Sequence, residues 1–171
     1  MNSMQRRRLA RICREAEGYW ELGMPLHALR VLYRERPLVY ADARGCYLAG
    51  ECLRELHRYR EATIPLRRSL SLIPDDTHVA VALAWCLKRT GMLEQAIETL
   101  EDAVEVEPGK AILHYNLACY WSLAQNCRMA FRHLSLALDI DGNLYDFVDE
   151  EPDFEPLRRD PRFREILGLY G

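Results

Sequence analysis

The sequence predicts an all-α protein, a solenoid of four antiparallel helix pairs closed by a C-terminal capping segment. Three observations predict it. An alanine with a leucine four residues later occurs at Ala28/Leu32, Ala62/Leu66, Ala96/Leu100 and Ala130/Leu134, always 34 residues apart. A second class, Ala16, Gly50, Ala84 and Ala118, keeps the same interval and is small throughout. Pro74, Pro108 and Gly142 mark seams in the same phase. Four units then tile the chain without a gap, 9–42, 43–76, 77–110 and 111–144, with a tail over 145–171 and one domain over 1–171. A fixed period of this length is the mark of a stacked repeat. Small residues let two helix backbones approach, and the leucines fill the groove that results. One hairpin cannot bury its apolar face alone, so each neighbour rebuilds the same contact.

The first unit keeps Ala16, Tyr19, Gly23 and Ala28, and Pro37 ends its second helix early. Its basic start, Arg6, Arg7, Arg8, Arg11 and Arg14, opposes the dipole of a helix N-terminus. Either the helix begins after residue 6, behind a solvated, fraying end, which is the favoured expectation, or the patch has an acidic partner, another protein or this chain's own Asp149, Glu150 and Glu151. In the second unit His57 stands at the turn between helices. Pro65 falls inside the helix predicted from Tyr59 to Leu72, at a cost of ~3 kcal/mol. An outward-facing Pro65 with a bend near Glu61–Pro65 is expected. The third unit reads as one helix, THVAVALAWCLKRT, a stop at Gly91, a second helix, MLEQAIETLEDAVEV, and a break at Pro108-Gly109. The fourth carries Gln125 at the turn and Gly142 at the seam. In the tail, Asp160-Pro161 opens a last helix, and Phe147, Phe154, Leu157, Phe163 and Ile166 are too apolar for a loose end.

These residues resemble the tetratricopeptide repeat family: a 34-residue period, small residue, turn Gly, Ala, bulky apolar residue and seam Pro. Unit 77–110 matches best, with Ala84, Gly91, Ala96, Ala103 and Pro108. The tail resembles the ending found after many bacterial arrays of the family. The resemblance implies a right-handed superhelix whose first helices line a concave groove. By that resemblance the groove residues are Tyr47, Glu51, Arg54, Val81, Trp85, Lys88, Ile112, Tyr115 and Asn116, and they are expected to bind a protein or peptide segment with an apolar anchor and some charge. A secretion-type chaperone is the alternative, and a nucleic-acid-binding repeat a weaker one. The positions of the family's two-carboxylate clamp carry Tyr47, Glu51, Ala82, Ile112 and Asn116, a set that repels a carboxylate.

Bulk properties narrow the classes. The net charge of −3 argues against general nucleic-acid affinity, and no apolar run is long enough to span a membrane. The six cysteines form no C-x-x-C, so reduced thiols, a cytoplasmic location and no metal or cofactor are expected. No P-loop, G-x-S-x-G or H-E-x-x-H is present, and a non-enzyme is expected. His114 is expected to be a satisfied core histidine, and Glu17 and Glu51 to be solvated acids. The oligomeric expectation is a monomer, or a homodimer joined through the tail.

Overall fold

The computed structural model describes residues 1–168; the last three residues of the expected tail, 169–171, lie outside the described residues. The chain divides into two compact units, Met1–Gly91 and a second from Met92 onward, with the boundary at the turn inside repeat 77–110.

The first unit contains α1 (Ser3–Glu21), α2 (Pro25–Tyr33), the short α3 (Arg36–Val39), α4 (Ala43–Glu55), α5 (Tyr59–Leu72) and α6 (Thr77–Arg89). Successive helices pack as hairpins: α1 on α2, α4 on α5, and α5 on α6. The small class is why they can. Ala16, Ala28, Ala62 and Ala84 are fully buried, as are Leu32 and Leu66. A Cβ at Gly50 would lie 2.5 Å from Leu66 Cγ, so only glycine fits where α4 meets α5. Each buried leucine contributes about 1.5–3 kcal/mol. Pro37 sits at the start of α3, after α2 has ended at Tyr33.

Two local expectations are corrected. The helix start is not frayed behind the arginines. Asn2 caps α1, its side chain accepting from the Gln5 amide while the Gln5 side chain accepts from the Asn2 amide, both at 2.9 Å. This reciprocal box satisfies two orphan donors and outweighs the unfavourable dipole term. Arg8 is paired with Glu35. Pro65 is also not outward. It lies buried inside an unbroken α5, where packing offsets the lost helix bond.

The second unit contains α7 (Leu93–Val106), α8 (Ala111–Leu123), α9 (Cys127–Ile140), α10 (Tyr145–Val148) and α11 (Pro161–Ile166), with 3-10 turns at Gly142–Leu144 and Pro152–Leu157. Here α8 packs on both α7 and α9, and the Pro152–Leu157 turn lies against α8. Ala96, Leu100, Ala118, Ala130 and Leu134 repeat the full burial of their counterparts.

The turns share one backbone solution. Gly23, His57, Gly91 and Gln125 all have positive φ, at 69°, 57°, 80° and 59°. The left-handed conformation ends each first helix, and the two non-glycine residues carry a strain of about 1 kcal/mol. Replacing Gln125, which is exposed, with glycine is expected to stabilise the protein by up to about 1 kcal/mol in urea unfolding. An unchanged or lower midpoint would mean that the turn is not strained.

Candidate functional site

The first unit gathers the expected site residues of the second and third repeats on neighbouring helices. Glu51 sits on α4 with only 3% of its surface exposed. It is not a solvated acid: Arg54 grips it through Nε at 3.0 Å and Nη2 at 2.6 Å. The spacing of three residues on one helix face makes that fork possible. The paired carboxylate keeps Arg54 firmly protonated. Arg54 in turn lies 5.4 Å from the centre of the Trp85 ring, and Arg89 lies 5.6 Å from the same ring. Tyr59, on α5, meets Trp85 edge-on at 5.1 Å and has Arg89 at 5.3 Å from its own ring. Trp85 is therefore a half-buried indole flanked by two guanidiniums and braced by a tyrosine.

Tyr47 hydrogen-bonds His78 Nε2 at 2.9 Å, and burial, with Glu51 next, pushes its phenol up to about 12. Val81 and Lys88, one turn before and one turn after Trp85, are half-buried. Nearer the start of the unit, Trp20 Nε1 donates to Glu55 at 2.6 Å, and Arg44 holds Glu17 with contacts of 2.6 and 2.7 Å. Sequence reasoning missed Tyr59. It belongs to the second helix of its repeat, and only its place directly after the turn hinted that it would reach Trp85.

The fourth repeat is different. Tyr115, expected to be open, is 7% exposed. Phe154 of the tail meets its ring edge-on at 5.7 Å, and the Tyr115 hydroxyl donates to the Phe147 carbonyl at 3.4 Å. The phenol is pushed up chiefly by that burial. Ile112 remains 40% exposed, while Asn116 uses its amide on the Ile112 carbonyl at 2.8 Å. Among the described residues, the ligand atoms of one trio, Cys119, Glu151 and Asp153, lie within 4.8 Å of one another. The tail supplies two of the three, and Glu151 already accepts the Asp153 amide at 3.1 Å, so the trio belongs to the tail's contact with α8.

His114 is buried and satisfied as expected, and it stacks on His133 with ring centroids 5.3 Å apart. Cys13, Cys46, Cys52, Cys86 and Cys119 are buried. Burial pushes the Cys52 thiol up to about 12, which suits packing and not nucleophilic chemistry. Among the described residues no helix is long and apolar enough to cross a membrane.

The tetratricopeptide repeat family matches residues 77–110. No match was found among curated proteins. Several solved structures share the fold. MamA is 17% identical with a TM-score of 0.75, covering 81% of this chain and 81% of its own. MamA 41-end from Desulfovibrio magneticus RS-1 is 19% identical with a TM-score of 0.71 over 94% of this chain and 96% of its own. YrrB, described as a TPR protein with an unusual peptide-binding site, is 24% identical with a TM-score of 0.70 over 75% of this chain and 66% of its own. At these identities the likeness concerns the fold. Residues 77–110 are a tetratricopeptide repeat, and the chain carries the all-α fold of the tetratricopeptide-repeat proteins.

Proposed function

We propose that this protein is a protein–protein interaction module, a small scaffold, adaptor or assembly chaperone, and that its first unit receives a partner segment on the face carrying Tyr47, Glu51, Arg54, Val81, Trp85 and Lys88. The observation that carries this reading is Trp85, half-buried between Arg54 and Arg89 with part of its ring still open. A large rigid indole with charged neighbours loses little side-chain entropy on binding and offers both an apolar seat and polar anchors, as interface hot spots do. Glu51 fixes Arg54 before any partner arrives, so the cation is already in place. An extended segment with one apolar anchor and a carboxylate within reach of Arg89 suits the face best. The peptide-binding description of YrrB, a protein of the same fold, supports the same class. Ile112 and Asn116 of the second unit keep exposed surface and are secondary candidates, whereas the cover over Tyr115 removes it.

The test is selection of a displayed peptide library on the intact protein, followed by calorimetric titration of the best peptide. Trp85→Ala is expected to weaken binding tenfold or more, with Tyr47→Ala weaker than wild type as well. Variants that stay folded and keep full affinity would move the site elsewhere.

A further inference from the structure

The net charge of −3 hides a division between the two units. Residues 1–91 carry 16 Lys and Arg against 10 Asp and Glu, a net +6. Residues 92–171 carry 7 against 16, a net −9. Each half has a surface on which its sign is concentrated.

In the first unit, α2 borders an open hollow of about 450 Å³. Its floor is apolar, with Leu26 and Tyr33 exposed by 43% and 37%. Its rim is Arg30, Arg34 and Arg58. Arg58 is held by Glu61, but among the described residues Arg30 and Arg34 enter no ion pair. They lie four residues apart, so their guanidiniums project one helical turn from each other.

In the second unit, α7 is the mirror of this pattern. Glu94, Glu98, Glu101, Asp102 and Glu105 are exposed, and the helix contains no base. Among the described residues none of the five enters an ion pair. Like charges at this spacing destabilise a helix by a few tenths of a kcal/mol per pair. The Glu101 carboxyl is raised by partial burial and then by Asp102, Glu98 and Glu105, so repulsion along the face is felt. Glu98 and Asp102 are also four residues apart, the same repeat as Arg30 and Arg34.

We propose that copies of this chain associate head to tail, the acidic face of α7 from one copy docking on the arginine-rimmed hollow of the next. Opposite net charges steer the encounter, the matched spacing pairs two acids with two arginines, and Leu26 and Tyr33 supply apolar area between them. The contact joins unlike surfaces, so it builds rings or open chains, and either forms increasingly as concentration rises. It does not involve Trp85 and stands independently of the peptide site.

Sedimentation velocity of the intact protein tests it. At about 50 mM salt the mean sedimentation coefficient is expected to rise with protein concentration, and at about 500 mM salt to return to the monomer value. Arg30→Glu with Arg34→Glu, and separately Glu98→Lys with Asp102→Lys, are each expected to be monomeric at low salt. All four positions are exposed, so folding should survive, as circular dichroism will show. Mixing the two double variants is expected to restore association, because each then offers what the other lacks. A wild type that stays monomeric at low salt overturns the proposal, as does association that both double variants retain. A monomeric wild type that binds a single-stranded oligonucleotide through the same arginines would assign the basic surface to phosphates instead, and would equally overturn it.

Discussion

Replacing Phe154 with alanine is expected to destabilise the second unit by about 3–5 kcal/mol, the usual cost of emptying a buried aromatic site. The ring is fully buried although it lies in a tail segment with little regular structure. It stands edge-on to Tyr115 at 5.7 Å and 5.9 Å from Phe163, while Val148 and Leu157 of the same segment are also fully buried. Arg158 ties the segment together, pairing with Asp149 at 3.0 Å and Glu155 at 2.9 Å. If the tail caps the array, removing the ring leaves a cavity against α8 that the chain cannot readily collapse into, because α8 is held in place by α7 and α9. Urea unfolding should show a lower midpoint, and an apolar dye should bind to the uncovered α8 face. A loss below about 1 kcal/mol would mean that the tail rests on the surface and does not complete it.

The tail is also where legibility ended. The 34-residue period placed all four turn positions, including His57 and Gln125, because the registers on both sides of a substituted turn still agree. Burial of the small and leucine classes was legible for the same reason: each is repeated evidence for one contact. Periodicity states which way Tyr115 faces within its own repeat. It does not state what distant segment lies on that face, so from the repeat alone Tyr115 reads as open. The apolar residues of the tail did signal packing, but not their target. Helix cost alone puts Pro65 on the outer face, whereas packing outweighs one lost bond and buries it. At the start, the dipole term is smaller than what the Asn2–Gln5 capping box contributes, so the arginines do not delay the helix. The net charge of −3 sums over both units and so conceals their opposite signs.

Stability should fall between pH 6.5 and pH 4 through the His114–His133 pair. His114 Nε2–H donates to the Pro108 carbonyl at 2.9 Å, which leaves its Nδ1 to accept from His133 Nδ1–H at 3.0 Å. Both rings are buried, and burial disfavours a charge on His133 whichever partner its Nδ1–H has. A proton on the accepting nitrogen would set two N–H groups against each other. Burial, then His114 and then Arg132, push His133 down from 6.5 to about 4. Between those values the unfolded chain binds a proton that the folded chain refuses, so the stability contribution is complete above pH 6.5 and is lost as pH falls towards 4. The shift corresponds to about 3 kcal/mol at the acid end. Glu101 acts with the opposite sign, since its raised carboxyl gains a proton on folding. Wild type must therefore be compared with His133→Asn, whose amide still donates to His114 but does not titrate. Urea midpoints at pH 7.5 and pH 4.5 should diverge strongly in wild type and less in the variant. Equal pH dependence in both would show that buried His133 accepts its proton without cost.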